Sequence, residues 1–155
     1  MRKLLWESML DADMNARYWD DMIRRHVAFE QRLRVLLAVL TSGTAASLVF
    51  SLGADWVWKA MSTASAVTSI YLTTVGASKP VERMASIKNC WSQCLIQYEH
   101  QWIQLEAGGD QVALQHVFEK TRASQVAGTG EESHFRKLDE VLVSCQQAVR
   151  RSRGL

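Results

Sequence analysis

The chain has 155 residues, a formal net charge of +2 and an apolar fraction of 48%. That length holds one domain, the apolar content excludes general disorder, and the lack of a basic stripe excludes a nucleic-acid module. Cys90, Cys94 and Cys145 are an odd number on helix-like segments, which suits free thiols in a reducing compartment rather than a disulfide framework.

The first 30 residues mix acids with bases and lack the apolar run of a signal peptide. Trp19, Met22, Ile23, His26, Phe29 and Leu33 recur at helical spacing. They predict a helix from about Ala12, with residues 1–10 as a short amphipathic helix in front. Asp11, Asp13, Asp20 and Asp21 lie toward its positive N-terminal end.

Val35–Ala54 is a window of 20 residues without a charge, and Ala60–Ser78 one of 19. A bilayer core of roughly 30 Å needs about 20 apolar residues as helix. A surface helix would show a charged face, and neither window has one. The linker Asp55-Trp-Val-Trp-Lys59 places Trp56 and Trp58 beside two charges, as at a membrane interface. Arg24, Arg25, Arg32 and Arg34 precede the first window, and Lys79, Arg83 and Lys88 follow the second. The expected fold is therefore all-α and integral to a membrane. It is an oligomeric two-transmembrane hairpin with spans 35–54 and 60–78 and a turn at 55–59. Residues 1–34 and 79–155 form long helices, and both termini are cytoplasmic. Arg32, Arg34, Lys79, Trp56 and Trp58 serve as interfacial anchors. The competing reading is two very hydrophobic helices inside a soluble bundle.

Ala60–Ser78 holds eight hydroxyl residues. Gly43, Ser47 and Ser51 form one stripe at four-residue spacing, and Ser62, Ser65, Ser69 and Thr73 form another. Small and hydroxyl residues drive helix association in lipid, so both stripes are candidates for helix packing or pore lining. No ionisable residue lies deep in either window, which argues against a proton relay.

Lys79-Pro80 predicts a break. Met84, Trp91, Tyr98 and Leu105 then recur every seven residues, which predicts a packed helix. Ala107-Gly-Gly-Asp110 predicts its end and the cap of a further helix over 111–125. Gly128-Thr-Gly130 predicts a loop. Phe135, Leu138, Leu142, Cys145 and Val149 mark the buried stripe of a last helix, and Arg150, Arg151 and Arg153 suit its negative end. The four histidines share no metal-ligand spacing, Cys90-x-x-x-Cys94 is not a zinc knuckle, and no glycine loop could cradle a phosphate. No catalytic residue, cofactor or metal site is expected, and the chain is not expected to be an enzyme.

The order of parts resembles the SLATT (SMODS- and SLOG-associating) class of bacterial two-transmembrane effectors. The residues that carry the resemblance are Asn15-Ala-Arg-Tyr-Trp19 with Arg24-Arg25, the tight hairpin, and the basic exit from Lys79 to Lys88. Tyr98 with Glu99 and Arg136-Lys-Leu-Asp139 complete it. The resemblance implies an oligomeric effector of the bacterial inner membrane in anti-phage defence. An upstream sensor protein or signal molecule would trigger it to permeabilise or depolarise the membrane. Its partners would be the lipid bilayer and further copies of itself, with no nucleic acid. The alternatives are a non-conducting scaffold or sensor subunit that recruits a partner through residues 81–155, and a soluble helical adaptor.

Overall fold

The computed structural model describes residues 1–41, 55–74 and 78–154. Its helices are α1 (Arg2–Thr41), α2 (Asp55–Thr74), α3 (Ser78–Glu106), α4 (Gln111–Gly128) and α5 (Asp139–Arg153), with a 3-10 turn at Gly130–His134. The all-α expectation holds. Helix α1 is continuous over 40 residues, rather than a short helix followed by a long one. No glycine or proline precedes Gly43 to interrupt it.

The membrane-integral hairpin is overturned. Among the described residues, no helix is long and apolar enough to cross a membrane. Only residues 35–41 of the first expected span fall in α1, whose remainder is rich in charge. Residues 42–54 lie outside the described residues. The second expected span fails on composition. The turn expected at 55–59 is instead the start of α2, so this 20-residue helix carries Asp55, Lys59 and seven serine or threonine residues. Two of those hydroxyls fold back onto the helix, Thr63 donating to the Lys59 carbonyl and Thr68 to the Ala64 carbonyl at 2.8 Å. The break or kink expected at Lys79-Pro80 falls close to the boundary between α2, which ends at Thr74, and α3, which begins at Ser78, and Pro80 belongs to α3. It sits in the first turn of α3, where its missing N–H would have had no intrahelical partner.

The chain divides into two compact units, one of residues 1–23 with 82–155 and one of residues 24–81. The core of the first is built on the seven-residue repeat of α3. Met84, Ile87, Trp91, Cys94, Tyr98 and Leu105 are all buried. Against them pack Leu5, Met9, Ala12 and Trp19, which recur on α1 at steps of four, three and seven residues and so share one helix face. Helix α4 adds Leu114 and Phe118, and α5 adds Val141 and Cys145. Aromatic rings lock the layers. Trp6 meets Trp102 and Trp19 meets Phe135, each at 5.4 Å, and Tyr98 meets Phe118 at 5.6 Å.

The α3–α4 turn follows from its sequence. Gly108 adopts φ +81°, which favours glycine. The Gly109 N–H donates to the Gln104 carbonyl at 2.9 Å, closing the helix end. Asp110 caps α4 by accepting from the Val112 N–H at 3.0 Å. The last helix is shorter than its apolar stripe. It begins at Asp139, so Phe135 and Leu138 precede it in extended backbone. Phe135 still packs on the core, whereas Leu138 is largely exposed.

Candidate functional site

In the first unit, polar groups hold the α4–α5 connection onto α1 and α3. Glu132 is the centre of this arrangement. Its Oε1 accepts from Trp19 Nε1 at 3.3 Å and from Trp91 Nε1, and its Oε2 pairs with Lys137 at 3.3 Å. Nearby, the Tyr18 hydroxyl oxygen accepts from the Leu138 N–H at 3.0 Å. A second network holds the end of α5. Buried Asp13 pairs with Arg17 at 2.7 Å and with Arg153 at 3.5 Å, and Arg153 donates to Glu99 at 2.8 Å. The bond to Glu99 is the main reason that the Arg153 guanidinium is held above its ordinary pKa.

Between α1 and α5 the packing leaves a cleft of about 540 Å³, lined by Leu10, Asp11 and Met14 from α1 and Gln146, Val149 and Arg150 from α5. Its floor is apolar, and its polar groups sit on the rim. Loss of solvent raises the Asp11 carboxyl above the usual carboxylate range. Glu132 adds to this, while the bond from Asn15 and the field of Lys137 oppose it. Asn15 Nδ2 donates to Asp11 Oδ1 at 3.1 Å. Arg150 lies exposed in the last turn of α5. No ion pair joins Asp11 and Arg150, and among the described residues neither has an ion-pair partner elsewhere. An apolar floor rimmed by a few polar groups is the usual make-up of a binding site.

The thiols do not form a second site of this kind. Cys94 is buried beside Cys90 one turn away on α3, and burial pushes its pKa up to about 11. Such a thiol is inert at neutral pH. Tyr98, one turn further on, is pushed up to about 12 by burial and donates to Gln125 Oε1 at 2.7 Å. Among the described residues, no group of three or more His, Cys, Asp or Glu side chains could hold a metal ion.

The second unit presents apolar side chains at its surface. Val35 and Leu36 on α1 are 64% and 49% exposed, and Trp56, Val67 and Tyr71 on α2 are 74%, 61% and 44% exposed. Ala28, Gln31, Arg32, Val35, Leu36 and Val39 line a shallow groove of about 500 Å³ along α1. Val35 and Val39 on α1, and Val67 and Tyr71 on α2, stand four residues apart, so each pair shares one face of its helix.

The expected site residues fall as follows. Gly43, Ser47 and Ser51 lie outside the described residues. Ser62 and Ser69 are exposed on α2, Ser65 is half-buried, and Thr73 lies in the last turn of that helix. Trp56, Arg32, Arg34 and Lys79 are exposed, with Arg34 paired to Glu30, and Trp58 lies within α2. Met84, Trp91, Tyr98 and Leu105 are brought together in the core, with Leu142 and Phe135 packed against it. Sequence reasoning did not single out Asp11, Glu132 or Arg150 as a site. Asp11 stood only as a dipole partner, Glu132 as part of a solvated acidic pair, and Arg150 as a helix-end charge. Asp11 and Arg150 share a cleft, and Glu132 reaches Trp19, only through packing between segments more than a hundred residues apart, which no local pattern carries.

Compared with protein-family models, with curated proteins and with solved structures, the chain has no match. These comparisons do not bear on the resemblance to SLATT effectors.

Proposed function

We propose that this chain is a non-catalytic helical scaffold that self-associates through its second unit and presents the first unit to partners. The observation that carries this reading is the apolar surface on α1 and α2, where Val35, Leu36, Val67 and Tyr71 stand in water on two successive helices. Contiguous apolar surface on a folded chain is a mark of an interaction site. Arg32 is the one charged side chain lining the α1 groove, so a second copy of this surface brings few like charges together. The hydroxyl stripe at Ser62, Ser65 and Ser69 adds small side chains that let helices approach closely.

This reading keeps two elements of the expectation from sequence, the oligomer and the recruiting role of residues 81–155. The permeabilising role depended on two spans and is not carried forward. The test is assembly in the absence of detergent. The full chain should sediment as an oligomer, and Val35→Lys with Val67→Lys should shift it toward monomer without loss of helical circular dichroism. An unchanged assembly in that variant would remove the second unit as the contact.

A further inference from the structure

The cleft between α1 and α5 carries two opposite charges that do not meet. Asp11 stands on one wall and Arg150 on the other, and neither has an ion-pair partner among the described residues. Between them lie Leu10, Met14 and the buried Val149. A small ligand fits this cleft poorly, because small-molecule sites bury most of the ligand, whereas Asp11, Gln146 and Arg150 are themselves exposed. The cleft suits a protein surface instead.

Its charge pattern selects which one. In a two-fold contact the same patch faces itself, so that residue i of each copy meets residue j of the other. A patch that holds one acid and one base at opposite walls of an apolar centre is complementary to its own copy. We propose that the α1–α5 cleft is a second, two-fold self-contact of this chain, in which Asp11 of each copy pairs with Arg150 of the other beside a shared centre of Leu10 and Met14.

This inference rests on the self-associating scaffold reading and uses a different surface. With one contact on each unit, a chain can build assemblies larger than a dimer.

Charge exchange tests it. Asp11→Arg and Arg150→Asp are each made in the full chain carrying Val35→Lys and Val67→Lys, so that the second-unit contact is removed. Sedimentation velocity reads association, and circular dichroism checks that each variant is folded. Each charge reversal alone sets like charges against each other twice, and weakens association more than tenfold. An equimolar mixture of the two reversals regains association at least equal to that of the background chain, because the mixed pair restores both contacts with opposite signs. A mixture that associates no better than its components overturns the proposal, as does a single reversal that leaves association unchanged. The outcomes separate the two surfaces. Rescue on mixing, with no effect of the Val35 and Val67 changes, supports the cleft and removes the second-unit contact. Dissociation by those changes without rescue does the reverse.

Discussion

Glu132 is the most informative single residue in the first unit. Replacing it with alanine removes the acceptor for two indole N–H groups, on Trp19 and Trp91, which are 1% and 5% exposed. A buried donor left without a partner costs about 1–3 kcal/mol. The carboxylate is itself only 14% exposed, so little water stands ready to replace it. The alanine cavity admits some water, so we expect a loss of about 2–4 kcal/mol rather than the full sum. Glu132→Gln retains one carbonyl oxygen for the indoles and loses the charge and the Lys137 pair, so its cost should be about half as large. Urea unfolding followed by both circular dichroism and tryptophan fluorescence measures these losses. Trp91→Phe provides the partner for a double-mutant cycle, where the coupling with Glu132→Ala should be about 1 kcal/mol or more. An alanine variant within about 0.5 kcal/mol of the parent would refute the role given to Glu132 in fastening the α4–α5 connection.

A Cβ on Gly128 would stand 2.3 Å from the Cys90 sulfur and 3.2 Å from its Cβ, so Gly128→Ala should lower stability by about 1–3 kcal/mol, with Cys90→Ala in the same chain recovering part of the loss. The Tyr98 pKa is raised to about 12 by burial, so the folded state binds this proton more tightly than the unfolded state does. Its contribution to stability is therefore present below pH 10 and lost as pH rises toward 12; alkaline unfolding should be steep there in the parent and shallower in Tyr98→Phe. The Asp11 carboxyl is also raised, which favours the folded state at acid pH and opposes it as pH rises through the folded pKa. At protein concentrations where the chain is monomeric, Asp11→Asn should thus stabilise it at pH 7 and have little effect near pH 3, as read from thermal unfolding at the two pH values. Cys94 should resist iodoacetamide in the native chain at pH 8 and react on unfolding, because burial holds its thiol protonated.

Local patterns in the sequence foretold helices better than they foretold surroundings. The seven-residue repeat from Met84 to Leu105 named core residues of α3, because a packed helix face repeats in step with its own geometry. The Gly108–Asp110 turn was legible because its chemistry is local, a glycine at positive φ followed by a side-chain cap. The membrane reading failed at Asp55–Lys59. Counting charge-free windows from Ala60 treated Asp55 and Lys59 as flanks. Once they join the helix, its apolar length falls short, and hydroxyl residues such as Thr63 and Thr68 lower its hydropathy further. Pro80 marked a helix start, because proline is tolerated in a first turn but not in a helix interior. Glu132 sits 113 residues from Trp19 and 41 from Trp91, and Asp11 faces Arg150 across nearly the whole chain. Those meetings arise from tertiary packing, so neither composition nor spacing could reveal them.

As proposed above, the chain is a self-associating helical scaffold held together by protein contacts rather than by lipid. Alkaline carbonate extraction of membranes, followed by sedimentation velocity of the released full chain without detergent, tests it most directly. Release by carbonate is expected, together with a concentration-dependent oligomer that Val35→Lys with Val67→Lys reduces to a smaller assembly. Retention in the membrane pellet after extraction, or a monomer at all concentrations, would contradict it.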